Sequence, residues 1–531
     1  MDTRQLLDDV NSDDIPSTIE PNSSMPSESV TQTQSTESGS DYPVISVRHF
    51  SPESDQYRNL LTSASSLHVT IKVYKQRWYI LFVFASLALV QGGLCNIWTV
   101  IAQSASAAFG WTDKAISLMQ GWLFIAFLIS MFPASMFMDK KGVRPAMISS
   151  AICITIGAAL RCFSTTPPYV TWLANVGHIL NGMAAPIMYT TGPVISALWF
   201  PPEQRATATA ISTVAGFAGN AVCFLIGPLI VEQPCGNISL PGLNRSEKYI
   251  NINDIKNEIL YCRYGESCLC VLLLFCVILY FPSKPKVPPS LTAAMEKVDF
   301  THGFCDLFRR KNANFWLIGL PYGFIISIYS VWTSLFDVNL QSLNVTEIEA
   351  GWLGFWGVSS GCAAAILVGR LADLVTGHMK PFLLCMNVGF ILSTFGFLII
   401  AERYVPFSKV GLYTCAILQG IFCNGSIPLF YELSIEATYP VAEVATSAVL
   451  NILYNIVPML FLLLFLLPKL GEHLSWMNWV LYASVLLSFP MLLSFKEKYR
   501  RLNVDLQINV DDQSQRSFIG SEENISQSIQ T

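Results

Sequence analysis

The chain contains 531 residues, of which 52% are hydrophobic and only 13% are charged, and its formal net charge is −5 at pH 7. Soluble domains carry about 25% charged residues, so this composition disfavours a soluble protein, and the small net charge gives no indication of nucleic-acid binding. Apolar segments of about 20 residues, the length that crosses a bilayer, recur through the middle of the chain. The sequence therefore predicts an all-α membrane protein with about twelve spans in two sets of six.

The segment before the first apolar run, residues 1–74, is rich in Ser, Thr, Pro, Asp and Glu and shows no apolar periodicity. We expect a disordered cytosolic tail and, without an apolar region near Met1, no cleaved signal peptide. Asp2, Leu6 and Leu7 fit an acidic dileucine sorting signal, which a clathrin adaptor would read. A motif this short can also arise by chance.

Basic residues cluster before the first span, between the two sets of six and after the last span, which predicts that both tails and the central linker are cytosolic. We expect an N-terminal half at 75–282, a linker at 283–312, a C-terminal half at 313–496 and a tail at 497–531. The expected spans of the first half are about 78–101, 115–138, 146–163, 170–199, 205–231 and 266–282. Those of the second half are about 314–338, 350–369, 380–400, 409–436, 443–468 and 475–495.

This topology places residues 232–265 and 339–349 on the lumenal or extracellular side. Three N-x-S/T sequons lie in these two loops, and we expect glycosylation at Asn237, Asn244 and Asn344. Cys235 and Cys262 share the first loop, where they could form a disulfide. The spacing of Cys and His residues suits no metal, and we expect neither a metal nor another cofactor.

Two similar loops follow the second and eighth spans, Asp139-Lys-Lys-Gly-Val-Arg144 and Gly369-Arg370-Leu-Ala-Asp373. An acid at such a position can lie against the positive end of a helix from the other half, worth roughly 0.3–1 kcal/mol. We expect Asp139 to meet the helix at Ala445, and Asp373 to meet the helix at Ala206. The alternative is an ordinary basic loop at the membrane surface.

Two glutamates, Glu432 and Glu436, lie four residues apart and so share one face near the cytosolic end of their helix. We expect them to form an ion-pair gate with Arg370 or Arg205. The predicted cytosolic gate thus consists of Asp139, Arg144, Arg205, Arg370, Asp373, Glu432 and Glu436.

Polar side chains inside spans are costly and usually face a cavity. Such residues predict a substrate site made of Gln91, Asn96, Trp98, Gln103, Asn220, Gln419, Asn424, Asn451, Tyr454 and Asn455. The alternative is that the amides form hydrogen bonds between helices. His178, deep in the fourth span, and Asp337, near the end of the seventh, are the candidates for carrying a proton, although a buried His is more often simply hydrogen-bonded.

The duplicated plan and the paired acidic loops resemble the major facilitator superfamily over about residues 75–495. The strings Arg205-Ala-Thr-Ala-Thr-Ala210 and Tyr431-Glu-Leu-Ser-Ile-Glu436 resemble solute carrier family 49. That family includes the feline leukaemia virus subgroup C receptor-related transporters and the lysosomal "disrupted in renal carcinoma 2" branch, which is the more similar of the two. The resemblance implies the major facilitator fold, a lysosomal membrane location and proton-coupled transport of pyridoxine.

The receptor-related members bind choline-like amines with a Trp and two Gln residues, and the matching positions here hold Cys95, Phe217 and Asn455. This departure makes choline a doubtful substrate. We expect a secondary transporter that moves a small organic solute by alternating access, and no enzymatic activity. The alternatives are a choline/ethanolamine- or haem-type carrier at another membrane, and a membrane receptor or scaffold that has lost transport.

Overall fold

The computed structural model describes residues 71–231, 252–294, 299–309, 312–334, 336–340, 343, 345, 347–375, 377–465 and 475–505. The first half contains α1 (Gln76–Val100), α2 (Ala102–Phe109), α3 (Asp113–Lys141), α4 (Val143–Leu160), α5 (Tyr169–Trp199), α6 (Arg205–Ile230) and α7 (Ile252–Leu279). Two short helices follow, α8 (Leu291–Ala294) and α9 (Phe300–Leu307).

The second half contains α10 (Ala313–Ser334), α11 (Phe336–Leu340), α12 (Glu347–Leu374), α13 (Met379–Ala401), α14 (Lys409–Thr438), α15 (Glu443–Phe465) and α16 (Ser475–Ser494). A final helix, α17, covers residues 500–505. Eleven described helices are long and apolar enough to cross a membrane, and the 31-residue α5 runs among them. The long helices therefore form two sets of six in chain order. Because a helix satisfies its own backbone hydrogen bonds, it is the element that an apolar sequence can adopt in lipid.

Local sequence sets where several helices begin and end. The Thr112 side chain accepts a hydrogen bond from the backbone N–H of Ala115 (3.3 Å) and so caps the start of α3. Gly142 alone connects α3 to α4, at a φ of +86° that other residues rarely adopt. This glycine lies in the loop Asp139-Lys-Lys-Gly-Val-Arg144 that the sequence predicted after the second span.

The prediction for the sixth span was wrong at its start, because α7 begins at Ile252 rather than near residue 266. The helix carries charged residues into its middle, where Arg263 and Glu266 form an ion pair one turn apart (3.1 Å). Cys262 therefore lies within a helix instead of a loop, and its thiol is free. Its predicted partner Cys235 lies outside the described residues, as do the sequons at Asn237, Asn244 and Asn344 and the Asp2/Leu6/Leu7 signal.

The two halves contact each other through equivalent helices. The fifth long helix of the first half, α6, packs against α12 and α14, and its counterpart α15 packs against α3 and α5. Glycines allow the closest crossings within each half. A Cβ on Gly92 would lie 2.0 Å from the Gly216 carbonyl oxygen, and one on Gly420 would lie 1.9 Å from that of Gly357. Small residues at such crossings are typical of helices packed in a membrane.

Candidate functional site

A cavity lies between the two halves, where α1, α3, α5 and α6 face α10 and α15. It contains about 920 Å³ of empty space, part of which is open to solvent. Every described side chain that lines it is uncharged, and the larger polar ones are Gln91, Asn96, Gln120, Asn220, Tyr454 and Asn455. Such a lining can form hydrogen bonds with a ligand but offers no full charge to an ion.

Among the described lining residues, several polar groups are hydrogen-bonded within the protein, but one buried acceptor is not. Gln120 donates a hydrogen bond to the Asn96 side-chain oxygen (3.0 Å), and the hydroxyl groups of Ser330 and Tyr454 lie 3.1 Å apart. By contrast, the buried side-chain oxygen of Asn220 has no hydrogen-bond partner among the described residues. A buried acceptor without a donor is costly, so a ligand donor at Asn220 would remove that cost.

Two tyrosine rings, Tyr189 and Tyr454, line this cavity, and Phe217, which lines a smaller neighbouring cavity, lies close to them. The ring centroids of Tyr189 and Tyr454 are 6.1 Å apart, and that of Phe217 lies 6.2 Å from Tyr454. A smaller cavity of about 410 Å³ shares Gln91 and Tyr189 with the larger one and is also lined by Tyr431. Tyr189 and Gln91 therefore lie between two spaces along the interface of the halves.

Half of the residues predicted to bind substrate line the larger cavity, namely Gln91, Asn96, Asn220, Tyr454 and Asn455. Gln103 instead is exposed on α2. Trp98 is buried against Trp111, with ring centroids 5.0 Å apart, and the guanidinium of Arg263 lies 4.9 Å from its ring. Trp98 therefore packs against a buried cation rather than facing the cavity.

The remaining three predicted residues are buried in helix contacts. Gln419 and Asn424 lie on α14, and a Cβ on Gly361 of α12 would come within 2.6 Å of the Asn424 side-chain nitrogen. The Asn451 side chain accepts a hydrogen bond from Tyr431 (2.9 Å) and donates one to the backbone oxygen of Ser447 (2.8 Å). Asn451 therefore connects α15 to α14, which is the alternative that the sequence left open, whereas the buried amide atoms of Gln419 have no hydrogen-bond partner among the described residues.

One predicted contact between the halves is present at the end of the bundle that carries α8, α9 and α17, here named the linker side. The Asp373 carboxylate accepts hydrogen bonds from the backbone N–H groups of Ala206 (2.9 Å) and Thr207 (2.8 Å), and from the Thr207 hydroxyl. An acid near the end of α12 thus caps the first turn of α6, as the sequence predicted.

The partner predicted for Asp139 was wrong. Its carboxylate accepts a hydrogen bond from the backbone N–H of Phe300 (2.9 Å), the first residue of α9, and not from the helix at Ala445. The physical reason is that α9 contacts both α3 and α15 and so occupies the space between them. The nearby Arg144 donates to the backbone oxygen of Ile278 (3.1 Å) near the end of α7.

The partners predicted for the two glutamates were also wrong. Arg501 of α17 donates hydrogen bonds to Glu432 (2.6 Å) and Glu436 (3.1 Å), and its guanidinium lies 3.9 Å from Glu443. Burial by itself would lower the pKa of Arg501, but these carboxylates raise it above its ordinary value, so the guanidinium stays charged. The C-terminal residues therefore supply the cation that the sequence assigned to Arg370 or Arg205.

Arg370 is exposed at the end of α12, whereas Arg205 is buried and contacts the C-terminal residues and the linker. Arg205 lies 2.9 Å from the Asp505 carboxylate and donates to the hydroxyls of Ser290 (2.5 Å) and Thr292 (3.0 Å). Within α6, the Thr209 hydroxyl donates to Glu432 (2.6 Å) across the interface of the halves. The linker side is thus closed by a connected set of buried polar contacts.

The proton candidate His178 is buried within the first half and does not line either described cavity. Its Nδ1 lies 3.2 Å from the guanidinium of Arg161, and it can accept that hydrogen bond only when it carries no proton. Two further charges, Arg263 and Glu266, interact electrostatically with Arg161. The second candidate, Asp337, falls in α11, but its side chain lies outside the described residues.

Sequence reasoning missed Arg161, Arg263 and Glu266, although charges at the ends of apolar runs were visible. Charged residues are rare near the centres of spans, and those that occur are usually paired and functional. This rarity is the sequence signal by which they could have been identified. Arg501 and Asp505 were missed because a short charged segment after the last span resembles a solvated tail. No group of three or more His, Cys, Asp or Glu residues suited to a metal lies in the part of the chain that the structure describes.

Comparisons with known proteins agree with this architecture. A family model described as Major Facilitator Superfamily matches residues 80–342. The fold is similar to that of the Escherichia coli fucose:proton symporter FucP, with a TM-score of 0.56, 12% identity and coverage of 80% of this chain and 100% of that one. It is also similar to the human organic anion transporter MFSD10, with a TM-score of 0.55, 15% identity and coverage of 79% and 100%. The chain is therefore a multi-pass membrane protein with the major facilitator fold.

Sequence similarity places it more narrowly. It is 35% identical to "Solute carrier family 49 member 4 homolog" of Xenopus tropicalis over 446 residues, covering 83% of this chain and 95% of the relative. It is 26% identical to the cat "Choline/ethanolamine transporter FLVCR1", covering 82% of this chain and 75% of the relative. The chain belongs to solute carrier family 49, which confirms the family and the fold predicted from the sequence.

Proposed function

We propose that this protein is a proton-coupled secondary transporter that moves a small, uncharged organic solute across the lysosomal membrane by alternating access. A pyridoxine-like vitamin is the proposed substrate. The observation that carries the proposal is the cavity between the halves, whose described lining is polar and aromatic but uncharged. An ion placed there would lose its hydration without gaining an opposite charge, which is costly.

The cavity offers the groups that a hydroxylated heteroaromatic ring requires. Asn220 has an unpaired acceptor among the described residues, and the tyrosines Tyr454 and Tyr189 line the same cavity. Offset or edge contacts between aromatic rings add roughly 0.5–1.5 kcal/mol to burial. A ring that carries hydroxyl groups would therefore be held by stacking and oriented by hydrogen bonds.

A second candidate substrate is a choline- or ethanolamine-like amine, as the name of the cat relative says of that protein. The observation in its favour is that two tyrosine rings, Tyr189 and Tyr454, line the cavity and could face a cation. Against it, the position matching the family's Trp holds Cys95, and the described lining provides no carboxylate. We therefore rank the uncharged solute first.

Proton coupling is proposed from the buried charges of the first half. Charged side chains within a bilayer are costly and commonly mark proton or ion pathways. His178 and Arg161 are in contact, and Arg263 pairs with Glu266. The His178 ring also hydrogen-bonds the backbone of Cys95, whose side chain lines the cavity. A proton taken up in this cluster could therefore alter the cavity through α1.

The lysosomal location is proposed from the Asp2/Leu6/Leu7 signal and from the similarity to the lysosomal branch of the family. In this proposal, the linker side and both termini face the cytosol, and Asn237, Asn244 and Asn344 face the lumen. The cavity then lies on the lumenal side of the contacts made by Asp373 and Arg501.

Ligand-induced thermal stabilisation of the purified protein tests the substrate. Pyridoxine should raise the melting temperature of the wild type, since a ligand that binds only the folded state stabilises it. Asn220→Leu should reduce this shift at the same pyridoxine concentration, whereas Gln419→Leu, a matched amide replacement outside the cavity, should retain it. A shift with choline alone would favour the second candidate. The absence of a shift with any vitamer or amine would favour a receptor or scaffold that has lost transport.

A further inference from the structure

The linker side contains a carboxylate-binding site that is occupied by the chain's own Asp505. One Asp505 oxygen accepts hydrogen bonds from the Arg205 guanidinium (2.9 Å) and the Thr292 hydroxyl (2.9 Å). The other oxygen accepts the backbone N–H of Thr292 (2.9 Å). Ser290 receives a hydrogen bond from Arg205 (2.5 Å) and so orients the guanidinium. A guanidinium, a hydroxyl and an amide N–H that converge on one carboxylate form a specific site.

The site is built from buried groups. The side chains of Arg205 and Asp505 are each 4% exposed, so the ion pair is shielded from water and salt. A buried charge that loses its partner keeps most of its desolvation cost. Removal of either Arg205 or Asp505 should therefore be strongly destabilising.

The residues around α17 are anchored to the second half rather than to the first. The backbone N–H groups of Arg501 (2.9 Å) and Leu502 (3.2 Å) both donate to Glu436. The Arg501 side chain binds the same half through Glu432, and Glu497 accepts the backbone N–H of Lys380 (2.7 Å). The segment from Glu497 to Leu502 is thus fixed on the helices of the second half.

Asp505 is different because its partners lie elsewhere. Arg205 begins α6 of the first half, and Thr292 lies in the linker. The C-terminal residues therefore extend from the second half and reach the first half through the Asp505 carboxylate. Separation of the halves on this side would have to break the Asp505–Arg205 pair, together with the Thr209–Glu432 and Asp373–Ala206 contacts.

We propose that the site formed by Arg205, Ser290 and Thr292 binds the Asp505 carboxylate as a releasable catch that keeps the cytosolic side of the transporter closed. This inference rests on the proposed alternating access. Beyond that proposal, it assigns the segment after the last span to the cytosolic gate. It also requires that Asp505 leaves its site in each transport cycle.

Hydrogen–deuterium exchange of the purified full-length protein without substrate tests the catch. Asp505→Asn and Arg205→Gln should each accelerate exchange at the start of α6 and at residues 290–294 by about tenfold or more. The double variant should exchange no faster than Arg205→Gln alone, because Arg205→Gln already removes the contact with Asp505. The matched control is the linker pair Asp306 and Arg309, which lie 2.8 Å apart and do not connect the halves. Asp306→Asn should leave exchange at α6 unchanged.

A second measurement detects opening of the cytosolic side directly. A cysteine introduced at Thr213, which lines the smaller cavity, should react several-fold faster with a thiol reagent from the cytosolic side when Asp505→Asn is also present. If Arg205→Gln does not fold, Thr292→Val, which removes only one hydroxyl, should accelerate exchange and labelling to a smaller extent. Unchanged exchange, additive effects of the two single variants, or unchanged labelling would overturn the proposal. Neither measurement requires a solute. Failure of the proposed catch can therefore be distinguished from a wrong choice of substrate.

Discussion

The Asp373 carboxylate lies 2.9 Å from the backbone nitrogen of Ala206, so the end of α12 in the second half caps the start of α6 in the first. The same carboxylate binds the next backbone N–H, at Thr207 (2.8 Å). Negative charge at the first turn of a helix is favourable because the N–H groups there have no partners within the helix. This contact exists only while the two halves are together on the linker side.

Asp373→Asn should loosen that contact more than it harms folding. The amide keeps one acceptor oxygen but loses the charge, and charge-assisted hydrogen bonds contribute about 1.5–3 kcal/mol. We expect faster labelling of the Thr213→Cys reporter from the cytosolic side and a melting temperature within a few degrees of the wild type. A large fall in melting temperature with no change in labelling would assign Asp373 a purely structural role.

Asp139→Asn should act through the linker, because Asp139 binds the backbone N–H of Phe300 on α9. We expect slower transport with normal expression, because the variant weakens the contact that holds the start of α9 against α3. Exchange at Phe300–Leu307 should increase, while exchange at the start of α15 should not. Wild-type transport rates in this variant would contradict the role given to Asp139.

Asn220→Ala should weaken substrate binding at the cavity. Loss of a hydrogen bond to a ligand costs about 0.5–1.5 kcal/mol, so KM should rise by about three- to tenfold, with a smaller effect on kcat. Concentration-dependent uptake measures both constants. Asn424→Ala, which lies outside the cavity, is the comparison: equal increases in KM for both variants would argue against the cavity as the binding site.

Gly177→Ala should damage the buried charge cluster. A Cβ there would lie 2.6 Å from Nε of Arg161 and 2.8 Å from the backbone oxygen of Gly157, so helices α4 and α5 would have to separate. Overpacking of this kind costs about 1–3 kcal/mol, which should lower the melting temperature. Gly265→Ala on α7 is the matched control, because a Cβ there meets nothing within 4 Å and should be neutral or stabilising. Equal melting temperatures for both variants would contradict the crossing geometry.

The helices and one contact between the halves could be predicted from the sequence for simple physical reasons. Apolar runs long enough to span a bilayer predict the helices. The acid Asp373 near the end of one span and the Ala/Thr-rich start of α6 predict the contact with Ala206. The cavity was predicted in part, since amides such as Asn220 and Asn455 are rare inside spans and do line it.

Other contacts could not be predicted because they depend on how polar connecting segments fold back onto the bundle. The linker helix α9 occupies the place where Asp139 would otherwise meet the helix at Ala445. Arg501 and Asp505 look like solvated residues of a tail in the sequence, yet they are buried in the structure. Helix amides such as Gln419 carry the same sequence signal as cavity amides, and only the rotation of each helix separates the two.

The most direct test of the account is uptake of radiolabelled pyridoxine by cells that express the Leu6→Ala/Leu7→Ala variant. Loss of the proposed sorting signal should bring the protein to the plasma membrane, with the proposed lumenal side facing the medium. We predict saturable uptake that increases as the medium is acidified and that is reduced by Asn220→Ala. Surface expression of the variant with no uptake of pyridoxine above background at any pH would contradict the account.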